Sequence, residues 1–501
     1  MKKYILYARK FCIENFITGI VHIGGNVKVW SKFIIGSASI ILLIVGGYAY
    51  AQTRATEKAV QFLQKLETQL KQDSGVAEIL YDSISADATD QIVSFENLRI
   101  KTVSSDSFSG TILARAASFD TNDNQIRKAI MQDMVLTRDG VDDELLIDEL
   151  VLTNLELKRS VNSWPADGSN LSRLQQSLSL FSGESMSIRG MTLKSDANVK
   201  LTLAEAKLNN MDHGFIAHLD ARDLAVDTSV KESVSGMGVE RIEAKNLNLM
   251  AFGSISGANI LDDVRPPAEL NSYNWYVKLP SSGSPTTIDW IGLRGKTGDN
   301  RGLVEVSMFM DQMKVPLEVQ GSGNPLIDRI FARIGQEKLT FDAKLKIVAD
   351  VKAGKFTIDP YEIIAVGLGR ISQVLSVDEF DPGEADTFSQ AGFSYKGMKF
   401  TIPHGEFRYD DDILADIVFD SFANGDRETL ATVAAQQAQQ GLATQMGLGE
   451  KVGHAVRDFV IGANFFSMKF KSRVLVDVET IKRHFAEGTI TSVLAIDFSG
   501  G

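Results

Sequence analysis

The chain has a single cysteine in 501 residues, Cys12, and none after it. A disulfide framework and a thiolate metal site are therefore excluded for everything beyond that position. Histidine is almost as scarce: His22, His213, His218, His404, His454 and His484 are the whole set, and no His-Glu-x-x-His spacing occurs among them. His213 and His218 lie five apart near an expected strand, which puts them on opposite faces and reads as surface. No phosphate-binding loop and no nucleophile elbow is present. Gly367-Leu368-Gly369-Arg370-Ile371-Ser372 carries two glycines of a dinucleotide fingerprint and lacks the third, and Gly447-Leu448-Gly449 follows no suitable strand. Asp410-Asp411-Asp412 lacks the alternating oxygens, glycine and closing glutamate of a calcium loop, so it reads as a solvated acidic turn. No catalytic, cofactor-binding or metal-binding residue is nominated, and the expectation is a protein that is not an enzyme and needs no cofactor.

Charge is unevenly placed. Residues 1–32 hold six bases (Lys2, Lys3, Arg9, Lys10, Lys28, Lys32) against Glu14, so the rest of the chain carries −17 of a total −12. That acidity argues against nucleic acid or an anionic headgroup surface as the main partner, since long-range repulsion disfavours both. Between the two regions, Phe33 to Ala51 runs nineteen residues without a charge. A helix of that length spans about 28 Å, close to the ~30 Å hydrocarbon core of a bilayer. The preceding bases place the N-terminus in the cytoplasm and the bulk of the chain across the membrane. The single-pass anchor is preferred to a cleaved signal, for which Ala49-Tyr50-Ala51 would be the processing site. Lys2–Ile20 reads either as an amphipathic helix on the inner surface or as a plain cytoplasmic tail. Residues 52–74 are rich in helix formers with Val60, Leu63, Leu66 and Leu70 in a narrow stripe, and are expected to form a helical stalk.

From residue 75 the pattern changes to alternation. A six-residue motif recurs, apolar at positions 1, 4 and 6 with Asn, Asp or Gly at position 3. It begins at Phe95, Met131, Leu152, Ile188, Ala221 and Ala244, with a distant copy at Tyr395. Strict alternation would bury positions 1, 3 and 5, so one extra residue has to be absorbed at position 3. Asn97, Asp133, Asn154, Gly190, Asp223 and Asn246 are the types that accept the left-handed conformation of a bulge. Spacings of 57, 57 and 56 residues between motif starts suggest duplicated strand units. A helix is expected over 170–181, covering a sheet end. Residues 264–300, with Pro266, Pro267, Pro280 and Pro285, read as a Pro-rich connection in which Trp275, Tyr276 and Trp290 pack a long loop.

The second β-rich region, 301–501, is expected to open with a helix over 324–336. Leu339 to Val351 alternates for thirteen positions as a long strand, turning at 352–355 into another. Asp426 is the expected N-cap of a helix over 427–446, followed by a second near 450–460. A strand from Phe466 to Val476, a short helix over 478–486 and a strand over 489–498 complete the chain. The fold class is α+β and β-rich: an N-terminal transmembrane helix, then long antiparallel strands in duplicated units with a few covering helices.

This layout, with GEFRYDDDILADIVFDSF (405–422), the Ala/Gln-rich segment after it and KLTFDAKLKIVADVKAGKFTID (338–359), resembles the YdgA-like bacterial proteins of unknown function. More loosely, the recurrent strand motif resembles AsmA-like envelope proteins. The resemblance implies a bacterial inner-membrane protein with a periplasmic domain that holds phospholipid in a β-groove lined by Leu, Ile, Val and Phe. The alternative is a periplasmic scaffold for other envelope proteins. An open apolar groove would favour the first, a filled core the second.

Overall fold

The fold was described from a computed structural model. It describes residues 76–501, apart from 88–91, 104–108, 123–124, 139–143, 158–180, 196–198, 213–214, 229–235, 249–268, 279–283, 298–302, 317–327, 330–331, 334, 336–337, 351–352, 380–387, 390–391, 394–398, 424–425 and 443–446. The expected membrane span 33–51, the stalk 52–74 and nearly all of the expected helix 170–181 lie outside these residues, as does the motif copy at Tyr395. Among the described residues no helix is long and apolar enough to cross a membrane.

Nineteen strands belong to one antiparallel sheet. The chain divides into two compact units, Met1–Gly253 with Trp275–Ser281 and Ser254–Asn274 with Ser282–Gly501. Each is described by itself. In unit 1, β1 (Val76–Leu80) and β2 (Ser83–Asp87) both pair with β3 (Ile92–Val103). The chain then runs as a meander through β4 (Ser109–Asn122), β5 (Gln125–Arg138), β6 (Glu144–Leu157), β7 (Phe181–Ser195), β8 (Val199–Asp212), β9 (Phe215–Thr228) and β10 (Gly236–Asn248). Strands of 12 to 15 residues from β3 to β9 are more than twice the usual length.

The six motif residues expected in the left-handed region are there: Asn97 (φ 52°), Asp133 (48°), Asn154 (48°), Gly190 (63°), Asp223 (53°) and Asn246 (57°). Their effect differs from a bulge. Glu96 pairs with Ala116 and Leu98 with Ala114, so the register passes through Asn97 without an extra residue. Instead both strands change parity at the same level. Phe95 and Leu98 are buried on β3, Ala114 and Ala117 on β4, Met131 and Met134 on β5, Ile147 and Leu150 on β6. The registers align these switches into a seam through Asn97, Arg115, Asp133, Asp148, Gly190, Ala204, Asp223 and Glu240. A second seam, six residues away, runs through Arg127, Asn154, Glu184, Asn210, Ala217 and Asn246, about 20 Å along the strand. The expected duplicated units of 57 residues do not follow the seams: Asn97 and Asn154, 57 apart, fall on different ones. What recurs is one left-handed residue per two strands on each seam, in odd-numbered strands on the first and even-numbered on the second.

Side chains along the seams face solvent and pair across it. Arg115 Nε donates to Asp133 at 2.5 Å and Asn97 Nδ2 to Asp82 at 2.6 Å. The opposite face carries the core: Ile79, Phe95, Ile100, Phe119, Met131, Leu136, Leu145 and their neighbours form one cluster, all from strands. Phe95 and Phe119 meet edge-on at 6.0 Å. Burial is most complete from β3 to β6, where Ile100, Ala129, Met131, Leu136 and Leu145 are at or below 1% exposed.

The division between the units runs through β11 (Glu269–Lys278). Unit 2 continues with β12 (Thr286–Thr297), β13 (Leu303–Pro316), β14 (Lys338–Asp350), β15 (Lys355–Ala365) and β16 (Gly369–Asp378) as a meander. Residues 264–300 thus hold two strands, with Pro280 and Pro285 between them, and Trp275, Tyr276 and Trp290 are strand residues rather than loop packing. β17 (Phe388–Ser389) and β18 (Gly392–Phe393) make a separate pair. β19 (Thr401–Asp411) then joins β16, β20 (Phe465–Ser472) joins β19 and β21 (Leu494–Gly500) joins β20.

Between β19 and β20 lie α1 (Leu414–Ala423), α2 (Arg427–Gly441) and α3 (Leu448–Gly462); α4 (Val478–Ala486) and a 3-10 turn (Ile490–Ser492) precede β21. Asp426 caps α2 as expected, accepting from Thr429 N–H at 2.9 Å, and Asp477 caps α4 through Thr480 N–H at 2.6 Å. Within the expected helix 324–336, residues 328–329 and 332–333 are helical. The expected final strand over 489–498 begins instead with the 3-10 turn. Gly500 lets α3 lie against β21, since a Cβ there would stand 2.0 Å from Ala455 O.

Candidate functional site

The polar candidates resolve into structure. Gly367 and Leu368 lie in the turn between β15 and β16, Gly369 opens β16, and Leu368 O accepts the N–H groups of Asp412, Ile413 and Leu414 at 3.2–3.4 Å. The expected solvated turn 410–412 is ordered by partners. Asp410 accepts from Arg408 Nε at 2.7 Å and Arg370 Nη2 at 2.9 Å. Burial works against its charge, yet these two guanidinium groups hold its carboxyl below the usual range. Burial pushes Asp411 up, against hydrogen bonds from the Tyr409 hydroxyl and from Ala415 N–H at 2.7 Å, which ties the start of α1 to β19. Burial, with Asp411 beside it, also pushes the Tyr409 phenol up.

His218 is less exposed than a surface reading implies: it is half-buried, with a buried Nδ1 that has no partner. His213 lies outside the described residues. His484 Nδ1 is 2.8 Å from Thr489 Oγ1, and His404 and His454 lie near Glu406 and Glu450. No group of three or more His, Cys, Asp or Glu is placed to hold a metal among the described residues.

The feature that the packing leaves unfinished is apolar. Side chains directly opposite one another in an antiparallel pair share a face. The registers of unit 2 build one row from Ile291 through Met310, Ala343, Ile363, Ile371 and Tyr409 to Phe466. A neighbouring row runs from Leu293 through Met308, Leu345, Tyr361, Gln373, Phe407 and Met468 to Phe498. Neither row contains a charge.

At the β19–β21 end this face is covered. Phe459 of α3 packs on Tyr409 and Phe466 with centroids at 5.8 and 6.1 Å, and Phe419 of α1 completes the group. Towards β13–β16, Met308 is 46%, Ile371 38% and Tyr361 37% exposed. The reverse face of the same strands is finished with ion pairs: Lys346–Glu305, Lys344–Glu362, Arg370–Glu362 and Arg370–Asp410. An antiparallel sheet ordinarily turns its polar face to water and covers the apolar one. Here the solvated face is satisfied, while the apolar face is exposed at Met308 of β13, Tyr361 of β15 and Ile371 of β16, a span of about 14 Å.

The alternation from Leu339 to Val351 supplied one strand of this face. Met308, Met310, Tyr361 and Ile371 were missed; on β13 their signal was the same period-two alternation, visible at Val304, Val306, Met308 and Met310. Compared with models of known protein families, the chain matches none. No curated protein matches it either.

Proposed function

We propose that the chain is a non-enzymatic protein of the bacterial envelope, held in the inner membrane by residues 33–51 with its strands in the periplasm, and that the apolar face of β13–β16 accommodates lipid acyl chains. The carrying observation is the charge-free double row that is covered at one end and open at Met308, Tyr361 and Ile371. Two methionines of β13, Met308 and Met310, stand in the rows, and methionine adapts its shape to irregular apolar partners. A contiguous exposed apolar face on an otherwise satisfied sheet is a binding surface. Kinship with YdgA-like or AsmA-like proteins is part of this proposal and rests on the layout and motifs alone. The test is extraction of the purified full chain and mass spectrometry of what comes off. Co-purifying phospholipid is expected, and a lipid-free chain overturns the reading.

A scaffold that supports neighbouring envelope proteins is the second reading, and unit 1 favours it. From β3 to β6 the core is filled by its own side chains. In-vivo crosslinking that repeatedly recovers one protein partner, with no lipid in the extract, selects it.

A further inference from the structure

Away from the apolar face, unit 2 has a pocket of about 420 Å³ between the first turn of α3 and the strands β19, β20 and β21. Four cations line it: Lys451 on α3, Lys469 and Lys471 on β20, and Arg473 just beyond β20. Asp497 is the one acid in the lining. This is a local positive excess on a chain whose net charge is −12.

Two of the cations are engaged. Lys451 reaches Asp497 at 3.0 Å, and Lys469 lies 3.7 Å from Glu406, which sits outside the lining. Lys471 and Arg473 are exposed and form no ion pair among the described residues. Elsewhere on the sheets, basic side chains are commonly matched across strands, as in Arg115–Asp133, Arg241–Asp220 and Arg370–Asp410. Bringing like charges together costs free energy unless an anion joins them. The apolar part of the lining is formed by Phe470, Leu494 and Ile496.

We propose that this pocket binds a phosphate ester, with Lys471 and Arg473 as the principal contacts to its oxygens and Lys451 and Lys469 enclosing it. Arginine offers a planar fork to phosphate and lysine a mobile point charge. Two sources carry that chemistry, a phospholipid headgroup and a free phosphorylated solute. In the first case the apolar part of the lining receives the start of the acyl region; in the second it is unused.

The test is calorimetric titration of the full chain with inorganic pyrophosphate and, separately, with dihexanoylphosphatidic acid below its micelle concentration. Both are expected to bind, and Lys471→Ala and Arg473→Ala each to weaken them by about tenfold. Tighter binding of the lipid assigns the headgroup; equal binding assigns a solute. Both residues are exposed, so thermal unfolding of the variants is expected to match the parent. Binding that neither substitution weakens, or no binding of either probe, overturns the proposal. The proposal is independent of the apolar face: Ile371→Glu is expected to leave pyrophosphate binding unchanged, so either reading fails without the other.

Discussion

A left-handed residue in a strand is a local cost, roughly 1–2 kcal/mol for most L-residues and less for Asn, Asp and Gly. Among its described residues, unit 1 places only Asn97, Asp133, Asn154, Gly190, Asn210, Asp223 and Asn246 in that region. Asn97→Gly is therefore expected to keep the thermal midpoint, while Asn97→Val lowers stability by about 1–2 kcal/mol. Gly190→Ala is expected to lower it by about 1 kcal/mol. Its new Cβ would stand 1.9 Å from Asp148 Oδ2, which can rotate away, and 2.9 Å from Asp148 Cβ, which cannot, so the cost of φ is a lower bound. Thermal unfolding of the three variants checks this; equal midpoints would show that the seams tolerate any residue. A second residue-scale prediction concerns acid. The Arg241 hydrogen bond, with Arg222 behind it, holds the Asp220 carboxyl below its usual range despite burial. A lowered carboxyl adds stability above the unfolded value of about 4, and that contribution is lost as pH falls through the folded value. Asp220→Asn is expected to lower stability at neutral pH and to flatten the decline below pH ~4, measured by denaturant unfolding across pH.

At the scale of elements, the two apolar faces predict opposite responses to mutation. Phe119 is 2% exposed in the core of unit 1, so Phe119→Ala is expected to cost about 3–5 kcal/mol. Ile371→Ser, at 38% exposed, is expected to cost well under half of that. Comparable losses in denaturant unfolding would mean that the β13–β16 face is packed in solution. Much of this level was legible. Alternation marked β14, the Asp426 cap bound its helix, and Asn, Asp or Gly at position 3 named six left-handed residues. Asn210 escaped because His213 occupies the last apolar position of its motif. The seam positions Arg115 and Ala204 escaped because they switch face without a left-handed φ, so no turn-tolerant residue marks them. The seams were read as bulges because parity in one strand cannot tell an inserted residue from a paired switch; that distinction lies in the neighbouring strand. Whether an apolar face is covered was not legible at all, because β14 in the open face alternates as regularly as the buried strands do.

For the whole molecule, the account rests on an asymmetry that can be addressed on the two strands that flank β15. Ile371 lies on the open apolar row of β16, whereas Lys344 on β14 lies on the ion-paired reverse face, 3.9 Å from Glu362. Anchorage in a bilayer would bring lipid near the protein without discriminating between the two faces. Occupation of the apolar face does discriminate. A photoreactive residue introduced at 371 or at 344, irradiated in intact cells and followed by mass spectrometry of the full chain, is therefore the most direct measurement. The proposed function predicts a phospholipid adduct from position 371 and none from position 344. Equal labelling from the two positions, or no lipid adduct from 371, would contradict it.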